Sequence, residues 1–147
     1  MTDTLQIRTP HSTWMIVAAL AAMLLHGACW FIVQIVIGTS DAIGDTQRQM
    51  ILALAWMVGS LALWRLRPPP SRLHAILTVL ACALFVTVLG SVAALVKLAV
   101  LEHADMSAGL LQSFGLLGGL LVLAHMALAI PSGIVLQLVA LARPKPV

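Results

Sequence analysis

The stretch WMIVAALAAMLLHGACWFIVQIVIG, Trp14 to Gly38, holds twenty-five residues without one Asp, Glu, Lys or Arg. A bilayer core takes about 20 apolar residues in helical form to cross. Backbone groups in lipid must satisfy one another, so a spanning segment is a helix or part of a closed barrel. This run is too long and too unbroken for a barrel strand, and it predicts a transmembrane helix. Three further apolar runs follow, Met50 to Leu66, Leu73 to Leu101 and Leu110 to Ala142. The sequence therefore predicts an all-α, polytopic membrane protein with one integral membrane domain over residues 1–147. Connections this short make consecutive helices antiparallel, giving an up-down four-helix bundle that closes with the fourth helix beside the first.

Composition agrees. The chain is 61% hydrophobic and 9% charged, against roughly 25% charged residues in soluble domains. No segment outside the apolar runs is long enough to build a core of its own, so any chemistry belongs inside the bundle, at its rims or in a partner. The net charge of +3 forms no basic run and no aromatic-interleaved basic patch, which excludes a nucleic-acid footprint. Cys29 and Cys82 lie inside apolar runs at different expected depths, with no Cys-x-x-Cys spacing, and read as small core residues. The segment Leu25-His26-Gly27-Ala28-Cys29 has a faint look of a lipoprotein cleavage site. His26 stands where an aliphatic residue is needed, and the apolar run continues past the cysteine, so a true first span is the reading.

The connections alternate in charge. Asp41, Asp45 and Arg48 lie in the first, Arg65, Arg67 and Arg72 in the second, Glu102 and Asp105 in the third, and Arg143 and Lys145 follow the last run. Basic residues concentrate on the cytoplasmic side of short loops, which predicts that both termini are cytoplasmic; the compact chain and its terse loops point to a bacterial-type inner membrane. Trp14 and Trp64 fall at the expected cytoplasmic span ends, where indoles favour the interface; Trp30 and Trp56 lie deeper and require another role. Pro68-Pro69-Pro70 stops the second helix. Its use as a ligand for a proline-binding module is the lesser reading, because the run is short and close to the bilayer.

Membrane helices associate through small residues that let backbones approach. Ala18 and Ala22 in the first helix, Gly90 and Ala94 in the third, and Gly115, Gly118 and Gly119 in the fourth are the expected packing stripes, within the bundle or toward another copy. Pro131 lacks the donor for the carbonyl of Ala127 and is expected to kink the fourth helix.

Ionisable groups inside spans are functional candidates by default. Lys97 is the one formal charge within a span, near its end, with a stem long enough to snorkel. His26 and His125 fall near mid-membrane on the first and fourth helices and are expected to share one site. Neutral imidazoles bonded to a hydroxyl, an indole or a carbonyl are the simplest reading, with Trp56 at similar depth as a partner. The cofactor-binding alternative makes His26 and His125 axial ligands of a haem b in an electron-transfer subunit. Against it, a second histidine pair and an internal arginine for the propionates are missing. Met23, His26 and Cys29 at three-residue spacing, with Met126, offer soft ligands for copper, although methionines at this spacing are usually core filler. A proton relay lacks an intramembrane carboxylate. His74, His103 and His11 read as solvated; Gln34, Gln112 and Gln137 lie toward span ends.

No serine–histidine–acid set, HExxH helix or phosphate-cradling glycine loop is present in the sequence. The expectation is a non-catalytic small membrane subunit that acts by helix association with membrane lipid around it and other membrane protein subunits, or a further copy, as partners. A haem-carrying subunit, or an oligomeric channel or small-solute carrier, are the alternatives.

Overall fold

The computed structural model describes residues 12–38, 41–100 and 108–141. Among these residues the chain forms four helices and no strand: α1 (Ser12–Ile37), α2 (Ala42–Leu66), α3 (Arg72–Val100) and α4 (Ala108–Ala140). All four are long and apolar enough to cross a membrane. At 1.5 Å per residue they run from about 38 Å for α2 to about 50 Å for α4, against a hydrocarbon layer of about 30 Å.

The ends of the helices have local causes. Gly38 closes α1 with a positive φ of 75°, and its N–H donates to the carbonyls of Gln34 and Ile35, both at 3.1 Å. Only glycine takes up that backbone conformation without strain. Asp41 then caps α2, its carboxylate accepting from the Gly44 N–H at 3.1 Å. A Cβ at Gly44 would collide with that carboxylate. This cap starts α2 eight residues before the expected Met50, so Asp45 and Arg48 belong to the helix and not to the connection. Arg48 pairs with Asp41 at 3.3 Å and also with Asp45 one turn back, which lets a charged turn remain helical at the rim. At the other end of α2 the proline run stops the ladder, the last bond being Arg67 N–H to the Leu63 carbonyl at 2.7 Å. Ser71 caps α3: its Oγ accepts from the His74 N–H at 3.3 Å and lies 2.8 Å from His74 Nδ1. His74 is thus tied to the helix start. Glu102, His103, Asp105, Arg143, Lys145 and the N-terminal tail with His11 lie outside the described residues.

Each helix packs on the next and α4 packs on α1, so the four form a ring, with α2 also touching α4 across the diagonal. Facing residues show antiparallel order: Gly59 meets Cys82 and Gly90 meets Leu52 between α2 and α3, while Gly133 meets Val79 between α4 and α3. The packing inverts the usual polarity. The interior holds small residues (Ala18, Ala22, Ala53, Ala75, Ala83, Ala129) and buried polar ones, with Trp56, Met57, Trp64 and Leu136 as its bulky members. The exterior carries Leu24, Ile32, Leu77, Phe85, Leu89, Val92, Leu120 and Leu123, all exposed. Soluble monomers seldom expose large contiguous apolar patches; lipid is the solvent such a surface suits.

One expectation changes. Trp64 is not an interfacial anchor: it is 1% exposed and part of the core, while Trp14 is 40% exposed. Position along the helix put both indoles near a rim, but the rotation of α2 turns Trp64 inward. The glycines of α4 also divide. Gly133, which no spacing pattern singled out, lies so close to Val79 that a Cβ would meet it at 2.7 Å, whereas a Cβ added at Gly115 or Gly119 has no described residue within 4 Å. Helix α4 runs through Pro131 without interruption. These contacts predict that Gly133→Leu destabilises the bundle by about 1–3 kcal/mol through overpacking, while Gly115→Leu leaves its stability within about 0.5 kcal/mol. Unfolding in mixed detergent micelles, followed by circular dichroism, checks both.

Candidate functional site

The buried polar groups gather in the middle of the bundle. His26, Trp56 and His125 lie close to the midpoints of α1, α2 and α4, and all three are fully buried. One turn beyond His26 is Trp30, 3% exposed, and on α4 Ser132 is 1% exposed. No Asp, Glu, Lys or Arg is buried among the described residues. The site is therefore two imidazoles, two indoles and a hydroxyl with no formal charge beside them.

The two histidine rings touch edge to face, with centroids 4.8 Å apart and planes at 65°. Trp56 Nε1–H donates to His125 Nε2 at 3.3 Å, across the diagonal of the ring. An indole nitrogen only donates, so His125 Nε2 is the acceptor and its proton sits on Nδ1. Ser132 Oγ donates to the Leu128 carbonyl at 2.9 Å and lies 3.3 Å from His26 Nδ1. The hydroxyl has one proton and spends it on Leu128, so His26 Nδ1–H donates to Ser132 and His26 Nε2 keeps its lone pair. Both tautomers are assigned from the network. His26 Nε2, His125 Nδ1 and Trp30 Nε1 have no hydrogen-bond partner among the described residues.

This arrangement does not fit a haem. An iron bonded to two imidazoles at about 2 Å each, with about 1 Å from nitrogen to ring centre, separates the centroids by about 6 Å. The ring centroids here are 4.8 Å apart, Trp56 occupies His125 Nε2, and the ring centroids of Trp56 and Trp30 stand 6.0 and 6.2 Å from those of His26 and His125, in the space a macrocycle needs. Copper meets the same obstacle on His125: binding through Nδ1 places a proton on Nε2, where it opposes the Trp56 donor. Among the described residues no group of three or more His, Cys, Asp or Glu could hold a metal ion. Met23 and Met126 pack against the core, and Cys29 and Cys82 are free thiols.

The small-residue stripes are placed unevenly. Ala18 and Ala22 are fully buried. Gly90 faces Leu52, at 3.1 Å from an added Cβ, and Ala94 is exposed. Gly118 is half-buried and lines a cleft of about 660 Å³ between α2, α3 and α4, together with Leu52, Thr87, Gly90, Ala94 and Leu121, with Arg48 at its edge. Lys97 is exposed in the last turn of α3. Gln34 and Gln137 are buried, as are Thr46 and Gln49 on the early turns of α2. Ser132 and Trp30 are the site residues that sequence reasoning left without a role. The signal for Trp30 was its i, i+4 relation to His26.

Comparison with protein-family models, curated proteins and solved structures finds no match to this chain.

The network makes two measurable claims. Trp56→Phe removes the donor to His125 and is expected to destabilise the bundle by about 1 kcal/mol. In the His125→Leu background the same change adds little, and a double-mutant unfolding cycle reads the difference. Adding hemin to the purified chain is expected to give no shifted Soret band; a bis-imidazole spectrum contradicts the packing described.

Proposed function

We propose that this chain is a non-catalytic, multi-pass subunit of a bacterial-type inner membrane, working by association of its helices with another membrane protein. Its role is accessory, anchoring or assembly, and both termini are cytoplasmic. The orientation rests on Arg65, Arg67 and Arg72 in and around the second connection, against the single Arg48 beside Asp41 and Asp45 at the first.

The observation that carries the reading is the open face at the α4 start. A Cβ added at Gly115 or Gly119, spaced for close helix approach, would meet no described residue within 4 Å, and Gly118 lines the cleft beside Gly90 and Ala94. Small residues favour membrane-helix contact because they let a second backbone come near. The described residues do not cover Gly115 and Gly119 as they cover Ala18, Ala22 and Gly133. The interior supports a scaffold role as well: its polar groups are uncharged, and its buried hydroxyls are spent on their own helices, Ser60 on the Trp56 carbonyl at 2.7 Å and Thr87 on the Ala83 carbonyl at 2.7 Å.

The test is photocrosslinking in native membranes from a reactive residue at position 116, beside the glycine face. The reading expects an adduct with one distinct membrane protein. In the Gly115→Leu/Gly119→Leu variant the adduct is lost at least tenfold while the melting temperature in detergent stays unchanged. An adduct of twice the chain mass replaces the subunit reading with a homo-oligomer, and crosslinking indifferent to the two leucines rejects the glycine face.

A further inference from the structure

We propose that the centre of the bundle is a binding site for a single water molecule, held by His26, His125 and Trp30. The argument is a count of donors and acceptors. Trp56 fixes the proton of His125 on Nδ1, and Ser132, committed to the Leu128 carbonyl, fixes the proton of His26 on Nδ1. Two N–H groups, His125 Nδ1 and Trp30 Nε1, and one lone pair, His26 Nε2, are left buried without partners. His26 and Trp30 are one turn apart on the same face of α1, and the His125 ring lies 4.8 Å from the first and 6.2 Å from the second, centroid to centroid.

A water molecule has two lone pairs and two protons. It accepts from His125 Nδ1–H and from Trp30 Nε1–H and donates to His26 Nε2. That makes three hydrogen bonds, the usual number for a buried water. Leaving a buried polar group unpartnered is costly, and one molecule relieves three such penalties at once. A direct bond between the histidines relieves two and leaves Trp30 unpaired. A cation is the wrong occupant, since two of the three groups present protons. An anion has no positive group among the described residues of the site to balance it.

Magic-angle-spinning NMR of the ¹⁵N-labelled full chain in phosphatidylethanolamine–phosphatidylglycerol liposomes tests the site without a variant. The expected result is Nδ1–H on both His26 and His125, with water cross-peaks to His125 Nδ1–H and Trp30 Nε1–H. In His26→Leu the cross-peak at His125 is expected to fall at least severalfold. An Nε2–H tautomer at His125 overturns the proposal. So does a nitrogen–nitrogen coupling across a direct His–His bond, or N–H signals at His125 and Trp30 that show no transfer from water.

Discussion

The donation from Trp56 Nε1 to His125 Nε2 at 3.3 Å crosses the diagonal of the bundle and orders what surrounds it. In a low-dielectric interior an unpaired polar group is costly, and hydrogen bonds are the means by which uncharged polar side chains are tolerated there. The indole settles one histidine tautomer, and Ser132 settles the other through its own commitment to Leu128. With both fixed, the remaining donors and acceptors of the centre are determined, and the haem and copper readings lose the nitrogen they need.

The alanines serve this centre. Ala18, Ala22, Ala53 and Ala129 are fully buried, and small residues at these positions bring four helix axes close enough for Trp56 to reach α4. Bulk is moved outward, so that leucine, isoleucine and phenylalanine form the exterior. The bundle is therefore tight and polar along its axis and apolar outside. Among the described residues its packing is uneven: Gly133 is pressed on Val79, whereas Gly115 and Gly119 are not covered and Gly118 borders the cleft. The proposed association with another membrane protein rests on that contrast.

The sequence made the four helices legible because apolar length is a strong signal, and it made His26 and His125 legible because a titratable group in such a run is rare. It located them at the same depth on helices that do pack together. Helix rotation was not legible. Trp64 turned inward although its position suggested a rim, and Gly118 is half-buried while Gly115 and Gly119, on either side of it, are exposed. With hydrophobic residues all around each helix, no amphipathic stripe states which side faces in. The early start of α2 was hidden for another reason: Asp45 and Arg48 resemble a loop by composition, and only the Asp41 cap and its ion pairs carry the helix through them.

The central claim is that the outer faces of this bundle are solvated by hydrocarbon. Spin labels at positions 24, 85 and 123, on a chain with Cys29 and Cys82 replaced by alanine, test it in liposomes by collision with oxygen and with a water-soluble nickel chelate. These sites are Leu24, Phe85 and Leu123, each exposed on a different helix. Strong oxygen and negligible nickel relaxation at all three is the predicted result; nickel access equal to that of a label in water at any one of them contradicts the account.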